Sequence, residues 1–398
     1  MARRMSHKKE QLHIAMLGHK RIPSREGGVE IVVGELASRM VAMGHQVTCY
    51  NRRGHHVAGK EFNAEKQTEY CGVRLKRVLT IQKKGLAAMS ASFFASIRAA
   101  FGRYDVVHFH AEGPCAFLWI PKLFGKRCVA TIHGLDHQRA KWGRFAAWYL
   151  RMGEKTAARF ADEIIVLSEN VQNYFMETYG RRTVFIPNGV RVPEYAEARE
   201  ITERYGLERD GYILFLSRLV PEKGLKILVE AFRKVETDRK LVIAGSASDS
   251  EDFAKALKES AAEDERILFT GFVQGRVLEE LYSNAYVYTL PSDLEGMPLS
   301  LLEAMSYGNC CLTSDIPECA SVVGEAGVHF PKGDAEALKD ALQTLCDHPD
   351  EVARKKQQMK EFFADSPYHW DAVVEKTVRL YGISCDPAAS ADQKEKTV

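Results

Sequence analysis

Short apolar stretches alternate with longer amphipathic ones along most of this chain, and this alternation limits its fold more than any other feature. The first half contains HIAMLG (13–18), DVVHFHA (105–111), RCVATIHG (127–134) and DEIIVLS (162–168), which are typical of buried strands. After the polar stretch EYAEAREITERYG the pattern restarts at YILFLSR (212–218) and continues through KLVIAGSA, RILFTGFV, YVYTLPS and NCCLTSD. Strands separated by helices of this length predict parallel sheets covered by helices on both faces. The expected fold class is α/β, with two Rossmann-like domains facing one another.

The length of the chain favours the same division, because 398 residues exceed what one hydrophobic core usually organises. We predict a basic extension over residues 1–11, a first domain over 12–190, a linker over 191–209 and a second domain over 210–365. A long helical stretch is expected over 334–363, followed by a second helix within 366–383. The small and charged residues 384–398 are predicted to be disordered.

Charge differs between the two halves of the chain. Residues 1–190 contain 30 Lys and Arg against 15 Asp and Glu, whereas residues 191–398 contain 25 against 38, so the net charge of +2 hides the difference. A basic half predicts an anionic partner, which can be nucleic acid, a membrane surface or a phosphorylated substrate.

Other sequence features narrow the class of protein. No window approaches the ~18 uninterrupted apolar residues of a membrane-spanning helix, and the basic start MARRMSHKKEQ carries no signal-peptide cleavage site. The nine cysteines show no Cys-x-x-Cys spacing, and most lie in apolar runs. This pattern favours buried, reduced thiols in a cytoplasmic protein over a zinc site.

The first loop of interest is SREGGVE (24–30), which precedes a helix. Gly27 and Gly28 at a helix start let a ligand approach the backbone, where free amides favour an anion. A tight turn is the structural alternative, and the G-x-G-x-x-G spacing of dinucleotide-binding proteins is absent.

The second loop, SRLVPEKGL (217–225), contains two cations at the predicted edge of the sheet. Arg218 ends a strand and Lys223 precedes a helix. Taken singly, each is an ordinary surface cation. Placed together at the mouth of a cleft, a guanidinium and an ammonium group can neutralise a diphosphate.

The third loop, SDLEGMPLSLLEAMSYG (292–308), leads into a helix that Pro298 starts and Gly308 ends. The amides of Leu299 and Ser300 at the helix start can donate to phosphate. Glu303 lies in the early turns, where a carboxylate is favoured and can bind paired hydroxyls. Glu295 lies in the loop before this helix.

Together these loops resemble the nucleotide-sugar-dependent glycosyltransferases of family 4, which have the GT-B fold. The most specific element is the Glu-x7-Glu motif formed by Glu295 and Glu303, supported by Ser-Arg-x3-Glu-Lys-Gly at 217–224. HFHAEGP, TIHG and IPNGV also fit the family, in order, so the resemblance extends over nearly the whole chain. It implies a terminal helix that crosses back to the first domain.

The resemblance also implies an activity. The family moves a hexosyl or deoxyhexosyl group, with retention of anomeric configuration, from a UDP, GDP or dTDP sugar to a hydroxyl group. The expected acceptor is a glycan or a polyprenyl-diphosphate-linked molecule. The IPSREGGVE start is most similar to rhamnosyl-type transferases of bacterial surface-polysaccharide assembly.

Individual roles follow from the same resemblance. Glu303 is expected to bind the ribose, Glu295 the donor sugar, and Arg218 and Lys223 the diphosphate, while His110 approaches the transferred sugar. The donor side also includes Gly27, Gly28, Val273, Gly296, Leu299 and Ser300, and the acceptor region includes His133, Asp136 and His137.

The resemblance implies chemistry without a metal or another cofactor. No Asp-x-Asp ends a strand, and the motifs place no Asp or Glu as a nucleophile. We expect Arg218, Lys223 and the helix-start amides to stabilise the leaving diphosphate while the acceptor attacks from the same face.

Two questions stay open at this level. A GT-B protein that binds nucleotide sugars can instead be an epimerase or lack transferase activity. The basic segment 138–160 contains Trp142, Phe145, Trp148 and Tyr149 among its cations. It can lie on the inner face of an anionic membrane or bury these rings as a crossover helix. Nucleic-acid binding has no recognisable module to support it.

Overall fold

The structure is a computed structural model that describes residues 11–54, 67–83, 85–138, 143–247 and 250–382. The predicted disordered tail and all but the last residue of the predicted basic extension lie outside the described residues. Trp142 and Cys385 lie outside them as well.

The first half of the chain forms an eight-stranded sheet. Its strands are β1 (His13–Leu17), β2 (Gln46–Arg52), β3 (Glu69–Tyr70), β4 (Val73–Val78), β5 (Val106–His110), β6 (Arg127–Ile132), β7 (Glu163–Val166) and β8 (Val184–Phe185). The strand order is β3-β4-β2-β1-β5-β6-β7-β8. Neighbours are parallel except for the short edge pair β3–β4, which is antiparallel. The central strand β1 pairs Ile14 with Val47 on one side and with Val106 on the other.

Helices cover both faces of this sheet. They are α1 (Gly28–Ala42), α2 (Leu86–Phe101), α3 (Glu112–Cys115), α4 (Trp119–Leu123), α5 (Arg144–Phe160) and α6 (Glu169–Tyr179). In α1 the apolar residues Val32, Val33, Leu36 and Met40 recur at helical spacing and are buried, which seats the helix on the sheet. Gly44, with a φ of 92°, follows the end of α1 and turns the chain into β2.

The second half begins with α7 (Glu200–Tyr205) and forms a six-stranded parallel sheet in the order β11-β10-β9-β12-β13-β14. Its strands are β9 (Tyr212–Leu216), β10 (Lys240–Ala244), β11 (Ile267–Gly271), β12 (Val287–Leu290), β13 (Cys310–Ser314) and β14 (Val328–Phe330). The helices between and after them are α8 (Leu225–Arg233), α9 (Glu251–Ala261), α10 (Arg276–Asn284), α11 (Leu299–Ser306), α12 (Pro317–Val323), α13 (Ala335–Asp347), α14 (Pro349–Ala364) and α15 (Trp370–Gly382). Two sheets of parallel strands with interleaved helices confirm the predicted α/β class.

The final helix, α15, packs against α1 and contacts strands of the first sheet. Trp370 lies so close to Gly189 that a β-carbon there would be 2.6 Å from the indole ring. Near its end, Leu380 O accepts a 2.8 Å hydrogen bond from Arg127, and the Tyr381 hydroxyl is 2.6 Å from Nδ1 of His108. The chain therefore crosses back to the first half, as the resemblance implied.

The long helix expected over 334–363 is two helices in the structure. Helix α13 ends at Asp347 and α14 begins at Pro349. Proline has no amide hydrogen and clashes with the preceding turn inside a helix, but it fits the first helical turn. Pro349 therefore starts a new helix instead of continuing the old one.

Candidate functional site

The loops that follow the strands of both sheets meet in one cleft. A β-carbon on Gly296 would lie 1.8 Å from the carbonyl oxygen of His133, and one on Gly134 would lie 3.1 Å from the Cα of Gly296. Beside this contact, Asn188 Nδ2 donates a 3.2 Å hydrogen bond to the carbonyl of Met297. The backbone of the third loop thus touches the first half directly, and only glycine at position 296 leaves room for it.

Two helix starts face each other across this cleft. A β-carbon on Gly28, the first residue of α1, would be 3.6 Å from Cδ1 of Leu299, the first residue of α11. A β-carbon on Gly27 would come within 2.4 Å of Glu30 Oε2, so a larger residue there would make the Glu30 side chain shift. The amides that begin a helix lack partners within it and form its positive end. Two such ends converging on one space favour an anion between them.

Lys223 and Glu295 are in direct contact. Lys223 Nζ lies 2.5 Å from Glu295 Oε1, and the two side chains are 9% and 8% exposed. Ser292 Oγ donates a 2.6 Å hydrogen bond to the same carboxylate oxygen. The cation assigned to the diphosphate and the carboxylate assigned to the sugar therefore lie side by side.

The backbone before α8 explains why the sequence reads Pro-Glu-Lys-Gly there. Pro221–Lys223 form one turn of 3-10 helix, and Gly224 follows with a φ of 68°. A β-carbon on Gly224 would be 1.8 Å from the carbonyl oxygen of Pro291. Glycine is needed for both reasons, and the turn it permits directs Lys223 towards the third loop.

Glu303, the second glutamate of the motif, holds two donors. Nη2 of Arg25 donates to Oε1, and the hydroxyl of Tyr282 donates to Oε2 over 3.0 Å. Burial lowers the pKa of Arg25, but the charge and hydrogen bond of Glu303 outweigh it and raise that pKa above its ordinary value. Neither Arg25 nor Tyr282 was predicted as a site residue. Arg25 lies inside the SREGGVE loop, so the composition of that loop was the available signal.

Arg218 and Val273 lie at strand ends, as expected. Arg218 follows β9, and no hydrogen bond or ion pair of its guanidinium group is formed with any described residue. Val273 follows β11 and is half-buried. Their roles toward the diphosphate and the base stay predictions.

Three histidines lie next to one another at the ends of β5 and β6, with His108 and His110 fully buried and His133 partly buried. The rings of His108 and His110 are 4.1 Å apart between centroids, and Nδ1 of His110 is 3.2 Å from Nε2 of His133. Nε2 of His110 is buried and has no hydrogen-bond partner among the described residues. Burial, assisted by the neighbouring imidazoles, lowers the pKa of His110 well below its ordinary value, so the ring is neutral. A neutral imidazole with one unused nitrogen can hydrogen-bond a sugar hydroxyl.

Asp136 and His137 lie in a short 3-10 turn after β6, beside a buried pair of glutamates. The amide of Asp136 donates to Glu112 Oε1 over 3.1 Å, and Nδ1 of His137 is 2.5 Å from Glu154 Oε1. Tyr174 and Tyr179 donate to the other oxygen of Glu154. The structure thus engages His137 with the protein interior, and its predicted contact with the acceptor stays untested.

Glu112, His137 and Glu154 are also residue types that bind metals. One donor atom from each lies within 4.8 Å of the others. However, His137 and Glu154 already bond each other. Burial, with the charges of Asp136 and Glu154, raises the pKa of Glu112 well above its ordinary value. The expected absence of a metal stays a prediction.

Two facing α/β units whose loops close on one cleft are the architecture of the GT-B glycosyltransferases, and this chain shares it. Sequence comparison then gives the family. Residues 26–193 match Glycosyltransferase Family 4 and residues 197–362 match Glycosyl transferases group 1. The chain belongs to family 4 of the glycosyltransferases and is an enzyme of that class.

Known relatives agree with this assignment. The chain is 28% identical to a phosphatidyl-myo-inositol mannosyltransferase of Mycobacterium leprae over 369 residues, covering 89% of this chain and 92% of that protein. It is 28% identical to an O-antigen chain mannosyltransferase B of Escherichia coli over 194 residues, 47% of this chain and 49% of that protein. The structure resembles Anabaena HepE in complex with UDP and glucose, with a TM-score of 0.76, 17% identity and coverage of 92% of this chain and 98% of that one. That structural likeness shows the shared fold.

Proposed function

We propose that this enzyme transfers a hexosyl group from a nucleotide-diphosphate sugar to a hydroxyl of a glycan or lipid-linked acceptor, with retention of configuration. The observation that best supports this proposal is that three features lie together. They are the Lys223–Glu295 pair, the Glu303 carboxylate and the facing starts of α1 and α11. Each suits a different part of one donor. Glu303 suits the ribose, the helix amides and Lys223 suit the diphosphate, and Glu295 suits the sugar.

The proposal assigns these parts an order along the cleft. Glu303, inside α11, takes the ribose hydroxyls, and the amides of Leu299 and Ser300 at the start of the same helix face the diphosphate. Lys223 and Arg218 add positive charge there. The sugar then lies between Glu295 and Nε2 of His110, which offers the unused nitrogen described above.

Charge stabilisation carries the proposed chemistry. As the bond to the sugar breaks, negative charge builds on the leaving diphosphate, and Arg218, Lys223 and the helix amides stabilise it in a site that largely excludes water. The acceptor hydroxyl attacks from the face that the diphosphate leaves, and its proton passes to a phosphate oxygen. His110 orients the sugar and does not act as an acid near pH 7, because burial keeps its ring neutral.

The donor sugar is the next question. Two relatives are named as mannosyltransferases, so a mannosyl donor is the first to test. The rhamnosyl-type assignment from the IPSREGGVE start stays a second prediction, and the base of the donor stays one of uracil, guanine or thymine.

A lipid-linked acceptor agrees with the surface of the first half. Phe145 and Trp148 on α5 are 70% and 58% exposed, so the alternative in which these two rings are buried is wrong, whereas Tyr149 bonds Gly113 O. Helix α5 packs on α4, and α4 on α2, where Leu123 and Phe101 are also exposed. In the part of the chain that the structure describes, no helix is long and apolar enough to span a bilayer. We infer that exposed rings among cations attach this face to an anionic membrane on its cytoplasmic side.

A donor panel tests the proposal. GDP-mannose, UDP-glucose, UDP-N-acetylglucosamine and dTDP-rhamnose are each added to the enzyme, and the melting temperature and the release of nucleoside diphosphate are measured. One donor is expected to raise the melting temperature and to be hydrolysed slowly. NMR of the transferred product should then show the anomeric configuration of the donor, and an inverted product would contradict the mechanism.

A further inference from the structure

Arg25 joins the first loop of the first half to the helix that carries Glu303. Its Nη2 donates to Glu303 Oε1, although the two residues are 278 positions apart in the chain. Arg25 stands three positions before α1, and Glu303 is the fifth residue of α11, so their contact spans the cleft. Arg25 is half-buried there, with 29% of its side chain exposed, and Glu303 raises its pKa, so it carries its full charge.

In this structure each oxygen of Glu303 accepts one hydrogen bond from a neighbouring side chain. Arg25 bonds Oε1, while the hydroxyl of Tyr282 bonds Oε2 at 3.0 Å. The proposed donor needs the same carboxylate for the hydroxyls of its ribose. A guanidinium group presents adjacent N–H donors much as a vicinal diol presents adjacent O–H donors, so both satisfy a carboxylate in a similar way. Each oxygen can accept a second hydrogen bond, so Arg25 and the ribose compete for the space beside Oε1 of Glu303 and not for its last acceptor site.

A displaced Arg25 has a second partner within reach of its loop. Arg25 lies two residues before Gly27 and three before Gly28, where α1 begins. The start of α1 faces the start of α11 across the proposed diphosphate space. A guanidinium group binds phosphate oxygens through paired N–H donors as readily as it binds a carboxylate. A half-buried cation that loses Glu303 is favoured by such a replacement, since part of its surface is shielded from water.

We propose that Arg25 helps to bind the nucleotide sugar and has two alternative partners. It pairs with Glu303 while the site is empty, and with the diphosphate once the ribose binds Glu303. This inference rests on the proposed function and adds Arg25 to the site as a positioning residue. On this inference, the ribose and the phosphates of one ligand bind cooperatively. A nucleoside must break the Arg25–Glu303 pair and gives Arg25 nothing in exchange, whereas a nucleoside diphosphate supplies the new partner.

The test compares a nucleoside diphosphate with its own nucleoside. UDP, GDP and dTDP are titrated by calorimetry to find the one that binds the wild-type enzyme, and the matching nucleoside is measured by displacement of that diphosphate. Both affinities are then measured for Arg25→Met, Arg25→Lys and the control Arg379→Met. Arg379 is an exposed residue of α15 whose guanidinium pairs with Glu375. Melting temperatures confirm that each variant is folded.

The two ligands should respond in opposite directions. In Arg25→Met the affinity for the nucleoside should rise about threefold or more, because its competitor is gone, and the affinity for the diphosphate should fall about tenfold, because a charged phosphate contact is lost. Arg25→Lys should lose less diphosphate affinity than Arg25→Met, since it keeps the charge but not the paired donors. Arg379→Met should change neither affinity by more than about twofold.

Three results would overturn the inference. Parallel losses for nucleoside and diphosphate in a folded Arg25→Met would show that Arg25 only supports the shape of the site. Unchanged affinities would show that it does not take part in donor binding. If the wild-type enzyme binds none of the three diphosphates, the proposed function itself fails, and the inference fails with it.

Discussion

Lys223 Nζ lies 2.5 Å from Glu295 Oε1, so two opposite charges are paired at the proposed donor site. On the proposed function, donor binding exchanges partners at an existing ion pair. The cost of stripping water from Lys223 and Glu295 is met during folding, not at each catalytic cycle.

Replacing Glu295 should separate binding from turnover. In Glu295→Gln the sugar loses a charged hydrogen-bond partner, and we expect kcat to fall about a hundredfold or more. The affinity for the free nucleoside diphosphate should stay the same or rise, because Lys223 no longer pairs with a carboxylate. Lys223→Met should instead weaken diphosphate binding about tenfold. Steady-state kinetics and calorimetry measure both, with Glu263→Gln, an exposed partner of Arg233, as the control. A loss of diphosphate affinity in Glu295→Gln equal to that in Lys223→Met would contradict the assignment.

The contact between Gly296 and His133 should be sensitive to one methyl group. Gly296→Ala places a β-carbon 1.8 Å from a backbone oxygen, which forces the two halves apart at that point. Because a shift of about 1 Å can misalign reacting groups, kcat/KM should fall about a hundredfold while the melting temperature changes little. The control is Gly34→Ala inside α1, where the new methyl group meets only Ile22 at 3.9 Å. Normal kinetics in Gly296→Ala would show that the enzyme works without this contact.

The buried histidines should make the fold sensitive to acid. Burial lowers the pKa to about 3 for His108 and to about 4 for His133, against an ordinary value of 6.5. The unfolded chain therefore binds protons that the folded chain excludes between pH 6.5 and pH 4, and stability falls as the pH is lowered through that window. Each such histidine should remove about 2 kcal/mol between pH 7 and pH 5.

Urea unfolding at the two pH values measures this effect. His108→Gln should be less stable at pH 7, because it loses its bonds to Tyr381 and Thr131, but should lose about 2 kcal/mol less than the wild-type enzyme on acidification. His348→Gln, at an exposed position, should behave like the wild type. An unchanged pH dependence in His108→Gln would mean that other groups govern acid unfolding.

Exposed rings on α5 should control attachment to lipid. The double variant Phe145→Ser, Trp148→Ser should retain its fold, since both rings face solvent, and should bind anionic vesicles at least about tenfold more weakly. Sedimentation with vesicles of phosphatidylglycerol, and with phosphatidylcholine for comparison, measures this. Val192→Ser removes an exposed apolar side chain elsewhere and should bind like the wild type. If the wild-type enzyme does not sediment with anionic vesicles at low salt, the membrane proposal is wrong.

Strand positions were predictable because parallel strands buried on both faces appear in the sequence as nearly continuous apolar runs. Ile213, Leu214 and Phe215 of β9 are fully buried, and the apolar run YILFL marks that strand unaided. The Glu-x7-Glu spacing indicated the family for a similar reason, since loop and helix are contiguous there. The division of 334–363 at Pro349 was also readable, because the proline alone decides it.

Contacts between distant parts of the chain were not predictable in this way. Nothing local to SREGGVE indicates that Arg25 meets Glu303 across the cleft, and nothing in PEKG indicates that Lys223 meets Glu295. The first pair depends on how the two sheets face one another, and the second depends on the pairing of β9 with β12 inside one sheet. No single segment encodes either relationship. The exposure of Phe145 and Trp148 was not predictable either, because a helix rich in aromatic and basic residues can present either face to its neighbours.

The return of α15 to the first sheet has a consequence for how this protein is made. Residues 12–190 leave the ribosome early in synthesis. The surface around Gly189 is covered only after Trp370 has been made, and His108 bonds the hydroxyl of Tyr381 only after Tyr381 has been made. The half that is synthesised first is thus the half that is completed last. Until then His108 has only its bond to Thr131, and the first half remains incomplete through almost the whole of translation.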